Sequence, residues 1–175
     1  MAEKTEKLSE SFEDYLEVIF DLELTNKVAR GKDIAEKMGV LQGSVTGALK
    51  SLSERGLINH EPYSYITLTP RGAKIAREVV RRHTVIKGFL SQVLMMEADS
   101  AEANACRMEH TMDQETIDRL VEFIEHVNNC PRTGPDWIAS FVSNCSDEHH
   151  DSKNCGSCLD NCVAHARIQI GNHTG

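Results

Sequence analysis

The chain has 175 residues, 40% hydrophobic and 26% charged, a balance that excludes overall disorder and suits one ordinary domain or two small ones. No stretch approaches the roughly eighteen apolar residues of a membrane span, and the start, Met1 to Lys7, lacks the apolar core of a signal peptide, so the expected location is the cytoplasm, without membrane contact. The net charge of −8 hides a split: from Asn26 to Arg82 eleven Lys and Arg face five acids, a net +6, while from Ser91 onward five bases face fourteen acids, a net −9.

Helical spacing begins near Ser9 or Ser11, either able to cap, and carries Phe12, Leu16, Ile19, Phe20 and Leu24 to an end near Leu24. After the polar turn Thr25-Asn26-Lys27, a short helix from Gly31 to Met38 should bury Ile34, Ala35 and Met38, with Gly39 as its C-terminal cap. A further helix from Ser44 to Arg55 turns Val45, Ala48, Leu49 and Leu52 inward and stops at Gly56, completing a helix-turn-helix pattern. The period then changes. Ile58, Tyr63, Tyr65, Ile66 and Leu68 flank the turn signal Glu61-Pro62 and predict a two-stranded wing. Thr69-Pro70 opens a long helix that continues through Ile75, Val79, Val80, Ile86 and Leu90 to about Leu94. Two more helices fit Ala98 to His110 and Asp113 to Asn128, the latter capped by Asp113 and aligning Ile117, Leu120, Val121, Ile124 and Val127. That stripe is wider than one small core needs, so part of it should face a partner chain in a homodimer.

A basic segment joined to an acidic one fits a DNA-reading module attached to a regulatory or metal-binding module. In a helix-turn-helix the second helix enters the major groove of double-stranded DNA, which makes Gln42, Ser44, Thr46 and Lys50 the candidates for base and phosphate contact. Arg71 and Lys74, at the start of the next helix, are candidate phosphate anchors. A second constellation is more specific. Asp14 and Glu17 stand three apart, Cys106, Glu109 and His110 occupy i, i+3 and i+4, and His83 adds a sixth donor. Oxygen, nitrogen and one sulfur together suit a first-row transition ion such as Mn, Fe, Co, Ni or Zn, and not Ca or Mg.

In the order of Glu13-Asp14-Tyr15-Leu16-Glu17, Asp33-Ile34-Ala35, Gly43-Ser44-Val45-Thr46, Leu68-Thr69-Pro70-Arg71-Gly72, Arg82-His83 and Ala105 to His110, the chain resembles the diphtheria-toxin-repressor family of metal-dependent transcriptional regulators, including its manganese-transport branch. The resemblance covers Ser9 to Asn129. It implies a fold that is mainly α with a small β wing: a winged helix-turn-helix DNA-binding domain over 1–72, a helical metal-binding and dimerisation domain over 73–129, and the regulatory metal held between them. It further implies a homodimer on a palindromic operator, acting as a repressor. By resemblance Asp14, Glu17, His83, Glu109 and His110 match the manganese branch, whereas Cys106 matches the iron branch, so Fe(II) and Mn(II) are both expected effectors. Lys87 and Glu102 depart from the second-site ligands of iron-type members.

The segment 130–175 departs from the family. Cys155, Cys158 and Cys162, with Cys145 or Cys130 as a fourth thiolate and His149, His150 or His165 as substitutes, suit a structural zinc first and an iron-sulfur cluster second, the competing reading being free thiols. Two other classes compete with the regulator. A metal-independent winged-helix protein would sense redox state through these thiols, and a metalloenzyme would need an acid or base apart from the ligands, of which none stands out.

Overall fold

The computed structural model describes residues 8–60 and 65–129, so the Glu61-Pro62 turn and the cysteine-rich segment lie outside the described residues. Two compact units divide the chain, Met1–His83 and Thr84–Gly175, and the boundary falls inside one helix.

In the first unit, α1 (Glu10–Asn26) is followed by α2 (Gly31–Met38), α3 (Gln42–Glu54), β1 (Ile58–Asn59), β2 (Thr67–Leu68) and the start of α4 (Pro70–Gly88). The buried face of α1 is Tyr15, Leu16, Ile19 and Leu22, with Phe12 and Phe20 partly buried against it. Leu24, expected in that stripe, is 71% exposed. At 3.6 residues per turn it lies about 150° round from the middle of the buried face, so spacing from Phe20 alone misassigned it. The α2 span and its buried Ile34 match the expectation, and Gly39 closes the helix at φ 65 with its N–H directed to the Ala35 and Glu36 carbonyls. The strands are short and antiparallel, pairing Ile58 with Leu68 and Asn59 with Thr67. A third rung, Ala29 with Ile66, was not legible as a strand and joins the α1–α2 connection to the wing.

Thr69 explains the abrupt start of α4. Its hydroxyl accepts the Gly72 N–H at 3.1 Å and donates to the Gly56 carbonyl at 2.9 Å, while its own N–H donates to the Leu57 carbonyl at 3.0 Å. Pro70, with no N–H to lose, takes the first helical position. Gly72 is obligatory for a different reason. A Cβ there would lie 2.0 Å from the Leu57 carbonyl oxygen, so the helix packs directly on backbone.

In the second unit, the remainder of α4 does not run on as α-helix to Leu94. It changes at Phe89–Val93 into a π-helical turn, with the Leu94 N–H reaching the Phe89 carbonyl at 3.1 Å. α5 (Ala98–Met108) and α6 (Gln114–Asn129) follow. Ile86, Leu90, Ala101, Ala105 and Ile117 form the core of this unit, with Leu120 and Phe89 partly buried against it. Asp113 caps α6 as expected, its Oδ1 accepting the Thr116 N–H at 2.8 Å. Val121 and Ile124 stay partly exposed and Phe123 is 47% exposed, in edge-to-face contact with Phe89 at 6.2 Å. α6 therefore keeps an apolar face that its own unit does not fully cover.

Candidate DNA-binding surface and metal-ligand set

The recognition helix is α3. Val45, Leu49 and Leu52 anchor one face in the core, and Gln42, Ser44, Thr46 and Lys50 are all exposed. The Thr46 hydroxyl donates back to the Gln42 carbonyl at 3.0 Å, and Lys50 Nζ lies 4.0 Å from Glu54 Oε1. Arg71 is exposed but donates to the Arg55 carbonyl at 3.4 Å, closing the C-terminus of α3, and Lys74 is exposed one turn along α4. The polar-residue reading missed Val40 and Leu41, which are 38% and 82% exposed at the entrance to α3. Leu41 stands four residues before Val45 and by period belongs inside. As the N-cap it has extended backbone, φ −71 and ψ 144, which turns its side chain off the buried stripe.

The six candidate ligands divide evenly between the units. In the first, Asp14 and Glu17 lie three apart on α1, both partly buried, and His83 is partly buried on α4. Tyr15 beside them belongs to the core, and burial pushes its phenol pKa up. The residues immediately before Asp14 and His83 are joined: Arg82 Nη2 donates to Glu13 Oε2 at 2.8 Å, with the two side chains 16% and 15% exposed. This largely desolvated pair fixes α1 against α4 where three oxygen and nitrogen donors emerge. Its signal in the sequence was the Arg82-His83 dipeptide, which by itself names no partner.

In the second unit, α5 ends at Met108, not at His110 as its pattern suggested. Glu109 keeps right-handed helical backbone, φ −60 and ψ −30, with its N–H on the Ala105 carbonyl, so the i, i+3 geometry from Cys106 survives the helix end. Cys106 is exposed. Glu109 is 1% exposed, the only polar or charged residue fully buried among the described residues, and its Oε1 lies 3.2 Å from His110 Nε2. A carboxylate withdrawn from water is costly unless a cation or donors compensate it, which fits a ligand for a divalent ion. One turn before Cys106, Glu102 Oε2 pairs with Lys87 Nζ at 2.7 Å, and that hydrogen bond holds the Lys87 ammonium above its ordinary pKa.

Residues 7–66 match the model of the iron dependent repressor N-terminal DNA binding domain, and residues 69–138 that of the iron dependent repressor metal binding and dimerisation domain. Over 116 residues the chain is 38% identical to the transcriptional regulator MntR of Salmonella typhimurium, covering 66% of this chain and 73% of that protein. The chain belongs to the diphtheria-toxin-repressor family. This member is also 34% identical over 119 residues to an uncharacterised HTH-type transcriptional regulator of Methanocaldococcus jannaschii, covering 67% of this chain and 95% of that one. Among solved structures it is similar to the manganese regulator SloR, with TM-score 0.60, 31% identity and 69% of this chain covered. It is similar to IdeR of T. acidophilum, with TM-score 0.60, 28% identity and 74% of this chain covered. The chain spans 56% and 60% of the length of those two structures. As a member of the diphtheria-toxin-repressor family it is a metal-dependent DNA-binding transcriptional regulator that takes a divalent ion and dimerises, and its named relatives are regulators, not enzymes. No helix among the described residues is long and apolar enough to cross a membrane.

Proposed function

We propose that the regulatory ion is Mn(II) or Fe(II), held by Asp14, Glu17, His83, Cys106, Glu109 and His110, and that it raises affinity for a palindromic operator. The observation that carries this reading is the buried Glu109 beside His110, two residues that are poor choices for an apolar interior and good ones for an ion. Asp14 and Glu17 favour Mn(II), as does the likeness to the manganese regulator SloR, while the Cys106 thiol favours Fe(II). Asp14, Glu17 and His83 belong to the unit that carries α3, and Cys106, Glu109 and His110 to the other. Ligation by both sets therefore selects one spacing of the two recognition helices in a homodimer. That spacing must match half-sites about 34 Å apart, so it raises affinity for a palindrome, which supports action as a repressor.

Gln42, Ser44 and Thr46 then read bases, and Lys50, Arg71 and Lys74 supply salt-dependent phosphate affinity. Operator binding followed by fluorescence anisotropy, first with chelator and then with Mn(II) or Fe(II), tests the reading. The expected result is at least a tenfold gain, about 1.4 kcal/mol of coupling, and equal affinities would overturn it. The functional division we propose is the winged helix over 1–72, the helical domain over 73–129 and the tail over 130–175, although residues 73–83, His83 among them, pack with the first compact unit. In the tail, Cys155, Cys158, Cys162 and Cys145 or Cys130 hold Zn(II), with an iron-sulfur cluster as the second reading. Metal content and visible absorption of anaerobically purified protein distinguish the two.

A further inference from the structure

Leu41 is poorly placed for folding. It is the N-cap of α3, where a side chain able to accept a hydrogen bond from the first turn is favoured, and it makes no such bond. It is also 82% exposed beside Val40, itself 38% exposed, so two apolar side chains stand together at the start of the recognition helix. An exposed leucine elsewhere on a surface needs no account, but one that takes the place of a cap on a DNA-reading element does.

The backbone around it is well fixed. Gly39 turns the chain at φ 65, the Val40 N–H donates to the Ala35 carbonyl at 3.1 Å, and the Leu41 carbonyl accepts the Ser44 N–H at 2.9 Å and the Val45 N–H at 3.3 Å. Two residues on, a Cβ at Gly43 would meet no neighbouring group, so packing does not require glycine there, and its absence leaves α3 low enough beside Leu41 for close approach to a base pair. Residues at the start of a recognition helix face base edges. On the major-groove edge thymine alone presents an apolar group, its C5 methyl, whereas cytosine presents a donor and the purines present acceptors. Leu41 pressed against those polar atoms would strip their water without replacing its hydrogen bonds, but against the methyl group it buries apolar surface on both sides.

We propose that Leu41 is a specificity-determining residue that reads a thymine methyl group in each operator half-site. The proposal rests on the reading that α3 enters the major groove, and it adds an apolar contact to the polar readers Gln42, Ser44 and Thr46.

The test begins with a random-sequence duplex library enriched on the full-length protein in the presence of Mn(II). In the enriched duplex each thymidine of one half-site is replaced in turn by deoxyuridine, which keeps the base pair and removes only the methyl group, and affinity is read by fluorescence anisotropy. One replacement should weaken wild-type binding about fourfold, the contribution of one buried methyl group. The same replacement should make no difference to Leu41→Ala or to Leu41→Ser, and serine, a better cap than leucine, keeps α3 folded. No effect of deoxyuridine on wild type, or an effect that persists in either variant, would overturn the proposal while leaving metal-dependent operator binding in place. A library that yields no enriched sequence with metal would overturn the operator reading and this one with it.

Discussion

Arg82 donates to the Glu13 carboxylate at 2.8 Å across sixty-nine positions of chain, and the pair binds together the two helices that carry Asp14 and His83. Neither residue is a ligand candidate, yet each directly precedes one. Arg82→Ala leaves a mostly buried carboxylate without its guanidinium, which should cost about 1–3 kcal/mol, less than the 3–5 kcal/mol of a fully buried pair because some exposure remains. It should also weaken Mn(II) binding several-fold by loosening α1 against α4. Thermal denaturation and Mn(II) titration check both, and unchanged metal affinity would confine the pair to a stabilising role.

Glu109→Ala combined with His110→Ala should abolish the metal response of operator binding while leaving low-salt, non-specific binding intact. The two activities separate because the second depends on Lys and Arg of the basic segment. Anisotropy at low and moderate salt, with and without metal, measures each.

Gly72→Ala tests the backbone contact beneath α4. The added methyl group would meet the Leu57 carbonyl oxygen at 2.0 Å, and backbone cannot move aside as a side-chain tip can. We expect a loss of about 2–3 kcal/mol in chemical denaturation. A neutral outcome would mean that α4 starts farther from β1 than described.

Asp113 gives a pH-dependent term to the second unit. Hydrogen bonding from the Thr116 side chain first, and from the Thr116 N–H second, holds its carboxyl pKa below the ordinary 3.8. Because the folded pKa is depressed, the stabilisation is present above pH 3.8 and is lost as pH falls through the folded value. Asp113→Asn retains a capping oxygen but removes the charge. The difference in melting temperature between wild type and variant should therefore shrink as pH is lowered through that window, and a constant difference would argue that the charge is not involved.

Phe123 is the most exposed apolar side chain on α6, on the same helix as the partly exposed Val121 and Ile124. Phe123→Asp should shift the protein toward monomer at micromolar concentration, because a carboxylate in a dimer core is left without a partner. Light scattering in the presence of metal reads this. A dimer of unchanged strength would place the interface elsewhere.

Local signals in the sequence determined where the helices lie and the caps at Gly39, Thr69 and Asp113. Ser9, by contrast, stands at the N-cap of α1 without a side-chain cap hydrogen bond, and α3 starts from Leu41, ahead of the expected Ser44. The period of α2 and α3, the hydroxyl and proline that open α4, and Asp113 before α6 each act within about one turn, where hydrogen bonding and side-chain direction depend on neighbouring residues. The same range explains why Asp14 and Glu17, or Cys106, Glu109 and His110, were legible as sets. What lay beyond one turn was decided by tertiary structure. Ala29 pairs with Ile66, Gly72 rests on Leu57, Glu13 meets Arg82 and Lys87 meets Glu102, and none of these partners leaves a periodic mark on the other. Leu24 and Leu41 show the complementary failure. Each is apolar at helical spacing from a core residue, but one lies on the far side of α1 and the other on extended backbone before α3, so packing geometry, not hydrophobicity, set their exposure.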